Sequence, residues 1–369
     1  MKKINFFETT VAKNANKLIC KTLDSTFLSE GKKVKEFEER LTDKFNLRNL
    51  LTVNSGTSAL HLSLILAEVG KGDEVIIPAQ TFVATGLAVL YTGAIPVFAD
   101  INKESGNISP DSIRKMITKK TKAIIPVHWG GIPCDMDEIK KIGQEFDLKI
   151  IEDAAHALGS LYKEDSIGTI SDYTCFSFQA IKHLTTSDGG AISINDVSKF
   201  NEGKRRRWFG MDRQNSNISF TGERDCDISE LGYKYHMNDL SATLGIANIL
   251  EFDMNFNKRL NVAQQYNSLL NNFSGIKLFS ENYDYKNSYW LYGFIVENRE
   301  RFIRHMKSKN IPVSVVHHRI DRYSLFKDFK RNDLPNQVFF DNNQIHIPIH
   351  DKLEDDQIQY IINAIKEGW

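Results

Sequence analysis

The sequence predicts an α/β fold, a mostly parallel sheet flanked by helices, followed by a smaller α+β unit. Three observations carry this. Between residues 50 and 151, apolar runs of four or five residues alternate with helical patterns of about ten, the signature of parallel strands joined by crossover helices. Polar or aromatic residues collect at the ends of five apolar runs, at 55–58, 81–82, 128–129, 153–156 and 177–182. In such sheets ligands bind beyond the carboxyl ends of the strands. After a long helical region, 239–273, the alternation gives way to a shorter mixture of strand and helix. Residues 1–245 therefore read as a large unit with an N-terminal arm, and 246–369 as a small C-terminal α+β unit.

At 369 residues the chain is long enough for a large core and for two such units. Its 47 basic and 47 acidic residues cancel, which leaves no global field to draw in nucleic acid or a membrane surface. No stretch approaches the ~18 apolar residues of a membrane span. The basic start MKKINFFETT has no apolar run behind it to make a signal peptide. Cys20, Cys134, Cys175 and Cys226 are scattered and form no CxxC pair. That spacing argues against a metal knuckle and a disulfide framework, and suits a reducing compartment. The expectation is a cytoplasmic protein with no metal, nucleic-acid or membrane partner.

Residues 1–30 show no period and read as an arm lying on the body or on a partner subunit. At 33–45, Val34, Phe37, Leu41 and Phe45 recur at helical spacing with charges between them. A short strand, 50–53, runs into Asn54-Ser55-Gly56-Thr57-Ser58 and a helical pattern to Val69. The free amides of a first helical turn and the helix dipole suit such a junction to an anion. Gly56 allows close approach of the backbone, and Thr57 and Ser58 supply hydroxyls. An ordinary N-cap by Ser55 or Thr57 explains the same residues without a ligand. Strands at 74–77, 95–98, 123–127 and 149–151 then alternate with helices at 81–91, 110–117 and 136–146. Past Gly190, a strand at 191–194 precedes a basic helix at 199–208 holding Arg205, Arg206 and Arg207, whose plainest role is a solvated face. Residues 211–230 are polar and loop-like, suited to covering a site or reaching a neighbour. The C-terminal part carries a strand at 289–296, a helix at 301–309, a His-rich stretch at 315–319 and a closing helix from 355.

The chemistry concentrates in 151–190. One apolar run ends on Glu152 and Asp153; a second, 173–178, leads to Lys182, and Gly189-Gly190 follow. Alone, Asp153 reads as a helix cap and Lys182 as a solvated loop lysine. Each nevertheless stands just past a buried-looking strand, so the two can face one pocket. An amine and a carboxylate so placed match what pyridoxal phosphate requires. A lysine holds the aldehyde as a Schiff base, and an acid keeps the ring nitrogen protonated.

The motifs NSGTSAL (54–60), PAQTFVAT (78–85), PVHWGGIPCDMD (126–137), EDAAHALG (152–159), SFQAIKHLTTSDGG (177–190) and GYKYHMNDL (232–240) occur in that order. Across nearly the whole chain they resemble the DegT/DnrJ/StrS family of pyridoxal-phosphate-dependent nucleotide-sugar aminotransferases. The resemblance implies the aspartate-aminotransferase-like fold type I with its seven-stranded type of sheet. It implies that Lys182 is the Schiff-base lysine and that Asp153 pairs with the ring nitrogen. It further implies Phe82 stacked on the ring, Gly56, Thr57, Ser58 and Ser177 at the phosphate, and His156 near the ring oxygen. Lys234 would reach the phosphate of the neighbouring subunit's cofactor, so that a homodimer shares its active sites. His317, His318 and Arg319 fall in a segment that approaches the sugar nucleotide, and Arg205, Arg206 and Arg207 suit its diphosphate.

The chain departs from the family pattern at several places. Lys234 stands for a usual Asn, His236 for an Arg, Ser187-Asp188 for Gly-Glu, and HWGG (128–131) for HLYG. One branch of the family carries His in place of the lysine and performs dehydration. Here the aligned residue is Lys182, and His183 follows it. The implied reaction moves an amino group from an amino acid, expected to be glutamate, to the keto group of a nucleotide-linked deoxy sugar, with pyridoxamine phosphate as the intermediate form. The alternatives are a cofactor-dependent sugar dehydratase, a non-catalytic sensor of the same fold, and a generic amino-acid transaminase.

Overall fold

The apolar runs become strands because both of their faces are covered. In a computed structural model, which describes residues 3–213, 215–279, 284–329 and 333–369, seven strands share one sheet. They are β1 (Leu50–Val53), β2 (Glu74–Pro78), β3 (Ile95–Ala99), β4 (Thr121–Ile124), β5 (Lys149–Asp153), β6 (Tyr173–Ser177) and β7 (Gly190–Ile194). Their spatial order is β1-β7-β6-β5-β4-β2-β3. From β6 to β3 all neighbours are parallel, whereas β7 runs antiparallel to both β1 and β6. Val75 and Ile77 enter one apolar cluster and Ile76 the opposite one, the two-residue period of a strand buried on both faces.

Helices fill the two faces. On one side lie α2 (Lys32–Phe45), α5 (Pro110–Met116), α6 (Met136–Phe146) and α8 (Asp239–Ile249), contributing Phe37, Leu41, Ile113, Ile139 and Ile246. On the other lie α3 (Gly56–Leu66) and α4 (Val83–Tyr91), with Leu60, Leu62, Leu64 and Val89. No side chain at Gly31 can cap α2, so its start is capped from a distance. Asp239 accepts hydrogen bonds from the amides of Gly31 and Val34 at 2.8 and 3.1 Å, which ties α2 to the first turn of α8.

Several elements differ from the sequence expectation. The arm contains a helix, α1 (Ala15–Asp24). Its buried residues are Ala15 and Thr22, too small to write an apolar stripe, and Thr22 Oγ1 meets Thr243 Oγ1 at 2.8 Å. The basic helix begins earlier, as α7 (Val197–Arg206), with Asp196 as its cap. The long helical region is two helices, α8 and α9 (Phe252–Leu270), broken at 250–251. Beyond it, β8 (Ile276–Leu278), β9 (Tyr292–Val296) and β10 (Gln344–Ile347) form a three-stranded antiparallel sheet in the order β8-β9-β10. With α10 (Arg299–Ser308) and α12 (Asp355–Lys366) it encloses a cluster of its own around Phe294, Phe302 and Ile361; α11 (Pro335–Asn343) precedes β10. Among the described residues, no helix is long and apolar enough to cross a membrane.

Candidate active site

The parallel strands deliver their last residues to one edge of the sheet, and the reversed β7 begins there. Gly190 consequently sits between Val53 and Ser177. A Cβ at this position would lie 2.6 Å from the Ser55 carbonyl, so only glycine lets the β1–α3 turn close against β7. The turn is capped internally. Ser55 Oγ accepts from the Ser58 amide at 3.0 Å, and Ser58 Oγ donates to Asn54 Oδ1 at 2.7 Å. Ser58 is thus committed to holding the turn. The first-turn amides of Gly56 and Thr57 open beside Ser177, whose Cβ would be 3.0 Å from a Cβ on Gly56, a geometry suited to an anion.

Asp153 ends β5 and is buried. Its Oδ2 accepts from Thr85 Oγ1 at 2.7 Å and its Oδ1 from the Ala155 amide at 3.2 Å. Thr85 Oγ1 in turn meets Thr81 Oγ1 at 2.7 Å. Burial pushes the carboxyl above its ordinary range, opposed by those two donors and by the charge of Lys182. Both donors are neutral, so the carboxylate carries a charge that no hydrogen-bonded cation balances. Lys182 is half-buried, with its amine 3.7 Å from the Trp290 ring. Burial brings its pKa down to about 7 against the pull of Asp153. Near neutrality a large share of this amine is therefore uncharged and able to act as a nucleophile or base.

Aromatic and imidazole rings close around the pair. Phe82, at the cap position of α4, is 52% exposed and lies 5.0 Å from the His317 ring. His156 is buried, stacks on Trp290 with centroids 3.7 Å apart and planes at 14°, and has no partner for Nδ1. Burial holds His156 well below the usual imidazole range and brings His317 to about 4. Both are neutral at pH 7. Next to Asp153, the buried His128 Nδ1 accepts from the Cys134 amide at 3.0 Å, so its Nε2 carries the proton and donates to Glu152 at 2.8 Å. This pair is structural.

Other residues expected at the site lie elsewhere or are occupied. Arg319 is buried, with its guanidinium forked onto Asp321 at 2.6 and 2.5 Å. His318 Nδ1 meets Asp341 at 3.0 Å. The expected substrate contact of Arg319 is therefore replaced by an internal ion pair. Arg319→Ala is expected to leave KM for the sugar substrate unchanged while lowering stability by about 3–5 kcal/mol, the cost of an orphaned buried acid; steady-state kinetics and urea unfolding check both. The basic trio is likewise engaged. Arg205 pairs with Glu230, Arg206 with Glu202, and Arg207 with Glu30 and Glu38, all at 2.7–2.8 Å. None of the three offers a free guanidinium to a diphosphate, and Arg207 is buried rather than solvated. The Lys234 side chain is exposed, while its carbonyl accepts from Asn54 Nδ2 at 3.1 Å. His236 sits edge-on to Trp208 at 3.8 Å and is brought to about 4 by burial and by nearby Arg207, Lys234 and Arg213.

The pattern of the DegT/DnrJ/EryC1/StrS aminotransferase family matches residues 9–366. The chain belongs to that family. It is 29% identical over 372 residues to GDP-perosamine synthase of Escherichia coli O157:H7, covering 100% of this chain and 99% of that one. The sugar aminotransferase CalS13 of Micromonospora echinospora superimposes with a TM-score of 0.94 at 28% identity, covering 99% and 100% of the two chains. Spr1654 of Streptococcus pneumoniae, solved in PLP and PMP forms, gives 0.91 and 0.92 at 30% identity, with 99% and 98% covered. The fold is that of the fold type I enzymes, and the cofactor of this aminotransferase is pyridoxal phosphate.

The residues present fit that cofactor. A buried carboxylate without a hydrogen-bonded cation suits a protonated ring nitrogen, the orphaned Nδ1 of His156 lacks a partner, and an open helix start faces Ser177. Sequence reasoning missed Thr85, although Thr81 and Thr85 stand one helical turn apart at the head of an apolar helix. It also missed Trp290, for which no local signal exists.

Proposed function

We propose that this aminotransferase moves an amino group from an amino acid, glutamate, to the keto carbon of a nucleotide-linked deoxy sugar. The observation that carries this reading is the meeting, at the carboxyl edge of the sheet, of a buried carboxylate held by Thr85 and the Ala155 amide with a lysine whose amine lies over the Trp290 ring, near enough to feel the charge of Asp153. Pyridoxal phosphate, when bound, supplies the electron sink that lets a carbon acid form at the donor. With the cofactor bound, Lys182 Nζ would hold its aldehyde carbon with loss of water; once the donor's amine has taken that place, the freed Lys182 amine would accept the α-proton of the donor as general base and later return it. Asp153, its carboxylate plane fixed by Thr85 and the Ala155 amide, would accept the hydrogen bond of the ring nitrogen and keep it charged. The Gly56 and Thr57 amides with Ser177 would hold the phosphate, Phe82 would offer an apolar face to the ring, and His156 would stand near the ring oxygen. His317, whose ring lies 5.0 Å from that of Phe82, faces the sugar from its segment.

We infer a cofactor-holding unit and a smaller C-terminal unit; the boundary expected at 245 falls inside α8, which runs unbroken to Ile249 and packs Ile246 on the large sheet, so the smaller unit begins with α9. A homodimer in which Lys234 of one copy reaches the phosphate site of the other completes the assembly we infer. The sugar comes from the relatives: GDP-perosamine synthase is named for a nucleotide sugar. The test adds glutamate and a series of nucleotide-linked keto sugars to the cofactor-loaded protein. Glutamate is expected to bleach the visible absorption, and one sugar nucleotide to gain an amine by mass spectrometry. A product that loses water without gaining nitrogen would identify the dehydratase instead; absorption that never appears on adding the cofactor would point to the sensor.

A further inference from the structure

We propose that residues 288–290 form the element that positions Lys182, and that Trp290 is the residue through which they act. This rests on the reading of Lys182 as the reactive amine. Trp290 is only 1% exposed. Its indole Nε1 donates to the carbonyl of Ile181 at 3.0 Å, and its ring lies 3.7 Å from Lys182 Nζ. On the other side of the lysine, His183 Nε2 donates to the Ser288 carbonyl at 2.9 Å. Both residues flanking Lys182 are thus tied to one short segment that enters from the C-terminal part of the chain.

The same segment holds the acid's neighbourhood. Ser288 Oγ donates to the carbonyl of His156 at 2.9 Å, and the Ser288 amide donates to Ser160 Oγ at 3.2 Å. Gly131, at φ +105°, leaves the space that Ser288 fills; a Cβ there would stand 2.5 Å from Ser288 Oγ. The segment itself is anchored from α9. Arg259 Nη1 donates to the carbonyls of Tyr289 and Trp290 at 3.2 and 3.3 Å, and to Ile349 at 3.0 Å. The stretch from Asp153 to Ser160 and the stretch from Ile181 to His183 are therefore spaced by one shared clamp. A displacement of 288–290 alters the placement of amine against acid, the kind of error that costs rate steeply.

Trp290 also faces the amine electrostatically. The titratable groups that feel Lys182 are Asp153, His156, His183 and His317. Burial keeps the three histidines neutral at pH 7, which leaves Asp153 and the indole face as the groups favouring the ammonium. A cation over an indole is stabilised by the ring quadrupole, most strongly when water is excluded. Burial pulls toward the free amine and the indole toward the charged one, so Trp290 sets where the balance falls.

The experiment uses the full-length protein freed of cofactor. Trace acetylation with acetic anhydride across pH, read at the Lys182 peptide by mass spectrometry, gives the titration midpoint of that amine. Trp290→Leu is expected to lower the midpoint by about one pH unit, the shift a desolvated cation–ring contact implies. Trp290→Phe, with a weaker face, is expected to lower it by less. Midpoints equal to native in the variants would overturn the proposal, and Trp290→Phe alone decides it should the leucine variant not fold. With cofactor loaded, Trp290→Phe also loses the hydrogen bond to Ile181 and is expected to lower kcat with KM for the sugar nucleotide unchanged. A native protein whose cofactor attaches to a residue other than Lys182 would sink the underlying reading of the site instead.

Discussion

Replacing Lys182 with alanine is expected to abolish the visible cofactor absorption and to lower kcat by about 10⁴-fold, the upper range for a positioned general base. The amine is the nucleophile, the base and the anchor at once, and the neighbouring His183 cannot substitute. Its Nε2 is turned away to the Ser288 carbonyl, and burial makes the imidazole a weak proton acceptor. A small external amine is expected to restore part of the rate, because the carboxylate, the phosphate cradle and the ring contacts remain. Stability should move the opposite way. In the unfolded chain a lysine titrates near ~10.4, and in the fold Lys182 titrates at about 7. Between those values the unfolded chain binds more protons, so this residue makes the cofactor-free protein more stable as pH rises through that window. Its cost is complete below pH 7. Lys182→Met, which keeps the volume of the chain, is accordingly expected to raise Tm of the cofactor-free protein at pH 6–7, with the difference fading toward pH 10. Retained turnover in the alanine variant, or a methionine variant less stable than native at pH 6, would contradict this account.

What the sequence revealed follows from the range of the interactions involved. The central sheet was legible because strands covered on both faces are continuously apolar, as in 74–77, and because each ends on residues of another character. Asp153 and Lys182 were legible by chemical type at successive strand ends. Helix α1 was not, since its contacts are made by Ala15 and Thr22. The arginine trio misled for a related reason. Glu202 stands four residues before Arg206, a pairing visible in sequence, but Glu30 and Glu38 reach Arg207 across the whole large unit. Arg319 carried its correction in plain view as Arg-x-Asp, a spacing that let the guanidinium fork onto Asp321. Trp290 lies more than a hundred positions from Lys182, and only tertiary packing brings it there.

Asp153→Asn is expected to lower kcat by about 10²–10³-fold, the loss typical of one preorganised charge at a reacting centre. The amide keeps the shape and still accepts from Thr85 or from the Ala155 amide, but it no longer holds a ring nitrogen protonated. Here too stability and activity part. Burial raises the carboxyl's pKa in the fold, so its contribution is most favourable at low pH and is lost as pH rises through the folded pKa. At pH 7–8 the ionised group is a net cost to the cofactor-free protein. The asparagine variant should then melt at or above the native temperature at pH 8, with the advantage shrinking toward pH 4. Cofactor binding reverses the comparison, because a ligand raises Tm in proportion to its affinity for the fold. A charged ring nitrogen binds the carboxylate better than the amide, so pyridoxal phosphate should raise the melting temperature of the native protein more than that of the variant. Equal cofactor-induced shifts in the two proteins would mean that Asp153 does not meet the ring. The cost that Asp153 imposes on the empty fold is thus the measure of how strongly the site favours a cation, and thermal melts with and without cofactor read both sides of that balance.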